Sequence, residues 1–147
     1  MLYRGMDRAQ LDATYNNTAA VPERDAMPVA EVRGGIAISG IFDLEPIALN
    51  YLNEKLALDP REIATLSPLR VLRRRSPPLR LFVGSDELAE LKRQSTIYAE
   101  AARERALPVA LTVLPGRHHY SILDELSRPE GAITRALVEL TKTCKMD

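Results

Sequence analysis

Leu79-Arg80-Leu81-Phe82-Val83-Gly84-Ser85-Asp86-Glu87 decides how this chain is read. An apolar run, broken only by Arg80, ends at a glycine and passes straight into acidic residues. That is the pattern of a short strand buried on both faces and closed by a turn. Two other stretches repeat it. Ile36-Ala37-Ile38-Ser39 is bounded by glycines, and Val109-Ala110-Leu111-Thr112-Val113-Leu114 ends at Pro115-Gly116.

Helical segments lie between and after these runs. Asp59-Pro60-Arg61-Glu62 has the capping residue, early proline and third-position glutamate of a helix start. Leu88, Leu91, Ser95, Tyr98 and Ala102 recur at helical spacing, which predicts an amphipathic helix from Glu87 to Arg105, stopped by Pro108. Ser127 and Glu130 have capping-box spacing, and Ile133, Leu137 and Leu140 mark the inner face expected of a C-terminal helix. The first ~30 residues are polar and irregular, with Asn16-Asn17, Pro22 and Pro28 as breakers. The domain reading is therefore an irregular segment over 1–30 and an α/β unit over 31–147.

Alternating strands and helices imply an α/β fold: a parallel sheet of about three strands, joined by right-handed crossovers and flanked by helices. All strands of such a sheet end on one edge, where ligands bind. Gly40-Ile41-Phe42-Asp43, Gly84-Ser85-Asp86-Glu87 and Gly116-Arg117-His118-His119 all fall on that edge. Acidic groups and the chain's two histidines are thus gathered there from distant parts of the sequence.

A carboxylate at one strand end can accept a hydrogen bond from one imidazole nitrogen, fixing the tautomer and leaving the other nitrogen to act as a base. Asp86 and His119 are the candidate pair. The alternative for Asp86 is plainer, because an aspartate at a strand end also suits the N-cap of the helix that follows. His118 and His119 make a poor metal site: adjacent loop residues rarely converge on one ion, and the single Cys144 adds no partner near them. No cofactor or metal is expected.

These residues also carry a family resemblance. Ile38-Ser39-Gly40-Ile41-Phe42-Asp43-Leu44-Glu45-Pro46, Ser67-Pro68-Leu69, Val83-Gly84-Ser85-Asp86-Glu87, Gln94-Ser95, Gly116-Arg117-His118-His119-Tyr120 and Leu123-Asp124 resemble serine-dependent arylformamidases (kynurenine formamidases) and related carboxylesterases of the α/β-hydrolase family. Leu2-Tyr3-Arg4-Gly5-Met6-Asp7 and Tyr15-Asn16-Asn17 resemble the N-terminus of that group. The resemblance implies a partial α/β-hydrolase fold and the hydrolysis of an aryl formamide or small carboxylic ester. It assigns Asp86 as the triad acid and His119 as the base, His119 rather than His118 because the pattern sets histidine directly before the aromatic Tyr120. It makes Asp43 to Ser67 a cap-like insertion near the substrate, with Phe42 and Tyr120 either lining the pocket or belonging to the core.

One part of the family pattern is missing. The likeness passes from the segment ending near Pro22 directly to the strand at Ile36, skipping the region that holds the oxyanion segment and the Gly-x-Ser-x-Gly turn. None of the seven glycines of the chain stands four positions from another, so that turn is not present in these 147 residues. Each lost oxyanion donor removes about 3 kcal/mol of transition-state stabilisation. Weak or no turnover is therefore expected of the isolated chain. The other possibility is a non-catalytic remnant, or an interaction module that dimerises through the exposed apolar edge at Ile36 to Ser39.

Composition bounds the remaining classes. The chain is long enough for one cored domain. Twenty basic residues balance twenty acidic ones, which gives no broad electrostatic reason to bind nucleic acid or a membrane surface. Arg73-Arg74-Arg75 beside Ser76-Pro77-Pro78 reads as a solvated loop. No run approaches the ~18 apolar residues of a membrane helix, and the N-terminus has no apolar signal core. With one cysteine as well, a cytoplasmic location is expected.

Overall fold

The computed structural model describes residues 32–143. The expectations for the irregular N-terminal segment, including the resembling Leu2 to Asp7 and Tyr15 to Asn17, and for Cys144 lie outside the described residues.

Three strands form one sheet: β1 (Gly35–Ile38), β2 (Leu79–Gly84) and β3 (Val109–Leu114), in the order β1-β2-β3 and all parallel. The pairing sets Ala37, Leu81 and Leu111 in one row and Ile38, Phe82 and Thr112 in the next. Side chains alternate across the sheet with a period of two, so each strand feeds two cores. On one face Leu81 packs with Phe42 and Ala99, joined by Ala37, Leu79, Val109 and Leu111. On the other Phe82 and Leu114 pack with Ile122, Ile133 and Ala136, joined by Ile36 and Ile38. Leu81 and Val83 are almost wholly buried, as expected of a middle strand with helices on both faces. β1 is only half-buried, because among the described residues it pairs on one side alone.

The β1–β2 connection carries three short helices: α1 (Glu45–Ala48), α2 (Asn53–Leu56) and α3 (Pro60–Leu66). Helix α3 starts with the expected capping box. Asp59 accepts from the Glu62 amide at 2.7 Å, and the Glu62 carboxylate accepts from the Asp59 amide at 3.1 Å. The Arg73-Arg74-Arg75 run in the same connection is exposed loop. Helix α4 (Ala89–Glu104) follows β2 and covers one face, while a 3-10 helix (Ser121–Leu126) and α5 (Ala132–Thr143) cover the other.

Three local expectations are corrected. Helix α4 begins two residues later than the spacing of Leu88 and Leu91 suggests, so Leu88 is its N-cap and is exposed. Ser127 does not cap α5: its hydroxyl donates to the Asp124 carbonyl at 2.8 Å, and the Ala132 amide instead donates to the Glu125 carboxylate at 2.8 Å. The buried face of α5 is Ile133, Ala136 and Leu140, with Leu137 turned outward.

Candidate active site

The parallel order brings the C-terminal ends of β1, β2 and β3 side by side, and one hydrogen-bonded line of side chains crosses them. Ser39, the residue after β1, donates its hydroxyl to Glu87 Oε1 at 2.6 Å. Glu87, in the turn after β2, holds its Oε2 3.0 Å from His119 Nδ1, in the loop after β3. A carboxylate only accepts, so Nδ1 carries the proton in this contact. The Glu87 side chain is fully buried, whereas that of His119 is 53% exposed. Nε2 is therefore the nitrogen left to meet a reacting group.

The turn Gly84–Glu87 explains which acid faces inward. The Glu87 amide donates to the Gly84 carbonyl at 3.3 Å, closing the turn, and the Gly84 amide returns to Glu87 Oε1 at 2.8 Å. Residue 87 is folded back over the strand end, and residue 86 stands at the outer corner. Asp86 is exposed, with its carboxylate accepting from Ser85 Oγ at 2.7 Å. The sequence pairs Asp86 with His119; in the structure the carboxylate in contact with His119 belongs to the next residue, Glu87. Nor does Asp86 cap α4, which starts after Leu88. In sequence Glu87 reads as the first residue of the helix, and its place at the site is not apparent. The available signal was the doubled acid Asp86-Glu87 directly after a strand-ending glycine.

Burial by itself pushes the Glu87 carboxyl up. The Ser39 hydroxyl, the Gly84 amide and His119 outweigh it, and the group lies below the usual glutamate range. It is held as an anion.

The histidine loop is braced from beneath. Gly84 packs so closely on the Arg117 backbone that a Cβ there would overlap the carbonyl. The Asp86 amide donates to that carbonyl at 3.0 Å, and the Gly116 amide donates to Ser85 Oγ at 2.8 Å. Arg117 reaches the nearly buried Glu125 at 2.5 Å, and Arg128 reaches the same oxygen at 2.8 Å. The amide of Ala132, first, then Arg117 and Arg128 hold the Glu125 carboxyl low against the desolvation that opposes them. Glu125 therefore ties the start of α5 to the loop that presents His119.

The other sequence candidates separate. His118 lies beside the pair, its Nδ1 3.3 Å from the amides of Tyr120 and Ser121 at the start of the 3-10 helix. Phe42 is core, stacked on Tyr98 with centroids 4.3 Å apart. Tyr120 is 79% exposed and meets the His119 ring edge-on at 5.6 Å. The connection after Asp43 is pinned near the site by Gln94, whose Oε1 accepts from the amides of Phe42 and Asp43, each at 2.7 Å. Arg70 spans Asp43 and Glu45 at 3.0 and 2.5 Å.

Known proteins share this fold. The chain matches a thioesterase-like protein from Silicibacter with a TM-score of 0.65 at 23% identity, over 72% of this chain and 38% of that one. Thermogutta terrifontis esterase 2 matches at 0.56 and 21% identity, over 83% and 44%. The chain carries part of the α/β-hydrolase fold. A bifunctional acetyl ester-xyloside hydrolase from Caldicellulosiruptor lactoaceticus shares the same partial hydrolase fold with a TM-score of 0.52 at 23% identity, over 76% of this chain and 40% of that one. In sequence this hydrolase-fold chain is 27% identical over 115 residues to a protein named kynurenine formamidase from Danio rerio, covering 75% of this chain and 39% of the relative. A second protein of that name, from Salmo salar, is also 27% identical, with 75% and 40% covered. The chain therefore spans about two fifths of the length of these curated relatives. No protein-family profile matches it. The comparisons support a partial α/β-hydrolase fold and a sequence likeness to proteins named kynurenine formamidase over part of their length.

Proposed function

We propose that the chain supplies the acid and histidine of a hydrolase site for aryl formamides or small carboxylic esters, with His119 as the base and Glu87 as the carboxylate that orients it. The observation that carries this reading is the Glu87–His119 contact at the ends of neighbouring parallel strands, one partner buried and anionic, the other open at its second nitrogen. The names of the curated relatives and of the structural neighbours support the substrate class.

In such a site the buried carboxylate keeps the proton on Nδ1 and stabilises the imidazolium that forms when Nε2 takes a proton from the attacking oxygen. The attacking group is the incomplete part, since the sequence holds no Gly-x-Ser-x-Gly turn. Water activated by His119 is then the nucleophile this reading calls on, and slow hydrolysis is the consequence. The same missing turn favours a second reading, a hydrolase-derived module that binds through the exposed side of β1 without turnover.

The test is hydrolysis of N-formylkynurenine and of a nitrophenyl ester by the purified chain, beside His119→Ala, Glu87→Ala and Asp86→Ala. Slow turnover that disappears with His119 or Glu87 and survives the change at Asp86 supports the proposal. Rates equal to buffer move the assignment to the non-catalytic module, and turnover indifferent to His119 contradicts the site altogether.

A further inference from the structure

Ser39 carries more than the end of a strand. Its φ of 50° lies in the left-handed region, which disfavours any residue with a Cβ. Glycine would remove that cost, and the neighbouring residue is Gly40. The residue is nonetheless a serine, buried to 8% exposure, with its amide donating to the Phe82 carbonyl at 2.8 Å and its hydroxyl to Glu87. Backbone strain kept together with a directed side chain points to use of that side chain.

Its use follows from how the carboxylate is shared. Glu87 Oε1 takes two donors, Ser39 Oγ at 2.6 Å and the Gly84 amide at 2.8 Å, while Oε2 takes His119 Nδ1 at 3.0 Å. The two donors come from neighbouring strand ends and set the plane of the carboxylate. Without the hydroxyl, Oε1 keeps the Gly84 amide alone, and the plane of the carboxylate is less firmly set. We propose that Ser39 is a positioning residue, whose hydroxyl locks Glu87 so that Oε2 faces the His119 ring. The consequence for turnover rests on the hydrolase reading above, whereas the lock itself does not.

The groups around the carboxylate are few. β1 contributes the Ser39 hydroxyl, the end of β2 the Gly84 amide, and the loop after β3 the titratable His119. All three favour the anion against the opposing effect of burial. Removing the hydroxyl therefore weakens the hold on the anion and frees the ring together.

Ser39→Gly is the decisive variant, because glycine accepts the left-handed backbone and the loss of the CH2OH group takes the hydroxyl away without adding strain. Carbon-13 side-chain spectra of the chain give the Glu87 carboxyl titration, and nitrogen-15 spectra give the tautomer of His119. In folded Ser39→Gly the Glu87 midpoint is expected to move up and the His119 ring to become a mixture of tautomers, while the Glu125 carboxyl titrates where it did. An unchanged Glu87 midpoint and an unchanged tautomer overturn the proposal. A shift shared by Glu125 also counts against it, because it reports loosening of the whole fold. These readouts need no turnover. His119-dependent hydrolysis with an indifferent Ser39→Gly defeats the positioning role alone, and loss of the lock without any hydrolysis defeats only the hydrolase reading.

Discussion

Glu87 Oε2 lies 3.0 Å from His119 Nδ1, while Asp86, one residue earlier, turns its carboxylate to the Ser85 hydroxyl and the solvent. One position along a four-residue turn separates a buried, oriented anion from a surface charge. The reason is local. The turn closes through the Gly84 carbonyl, and its last residue is carried back over the sheet.

The close approach of Gly84 to Arg117 makes that turn intolerant of a side chain. A Cβ at position 84 overlaps the Arg117 carbonyl oxygen and carbon, which are backbone and cannot swing aside. Gly84→Ala is expected to lower stability by about 3 kcal/mol through overpacking. Urea unfolding measures it, and a loss below roughly 0.5 kcal/mol, typical of an exposed site, contradicts the packing.

Ser95 is buried to 1% exposure, and its hydroxyl has no hydrogen-bond partner. Such a group carries a desolvation cost with nothing to offset it. Ser95→Ala is therefore expected to leave stability unchanged or raise it by up to about 1 kcal/mol. A clear loss in thermal melting shows that the hydroxyl has a partner after all.

Acid is expected to unfold the chain from the carboxylate side. The Glu87 and Glu125 carboxyls are both held below their ordinary range, so in acid the unfolded chain binds more protons than the folded one. Their contribution is complete above the ordinary glutamate range and is lost as pH falls through that range toward their lowered folded values. Melting temperature should fall with pH across this window, and Glu125→Gln should flatten the slope. An identical slope in that variant contradicts the role of Glu125 in joining Arg117 to α5.

Much of this was legible in the sequence. Leu79 to Gly84 and Val109 to Leu114 are strands because compact apolar runs end at turn-forming residues, and the parallel sheet follows from the helices between them. The gathering of acids and histidines at one edge follows from that topology alone. The choice between Asp86 and Glu87 was not legible, because it depends on how a short turn closes. The start of α5 was not legible either. Its cap is the Glu125 carboxylate, seven residues before the amide it accepts from, outside the local spacing that a capping box uses. Phe42 was ambiguous in sequence because a phenylalanine beside a strand end serves core and pocket alike. Its stacking on Tyr98 is a contact with α4 that no local pattern displays.

The most direct measurement is the tautomer of the neutral His119 ring, read from nitrogen-15 correlations in the chain, in Glu87→Ala and in Asp86→Ala. The expected result is a ring protonated at Nδ1 in the parent and in Asp86→Ala, changing to a mixture once Glu87 is removed. A tautomer that responds to Asp86 and ignores Glu87 would contradict it.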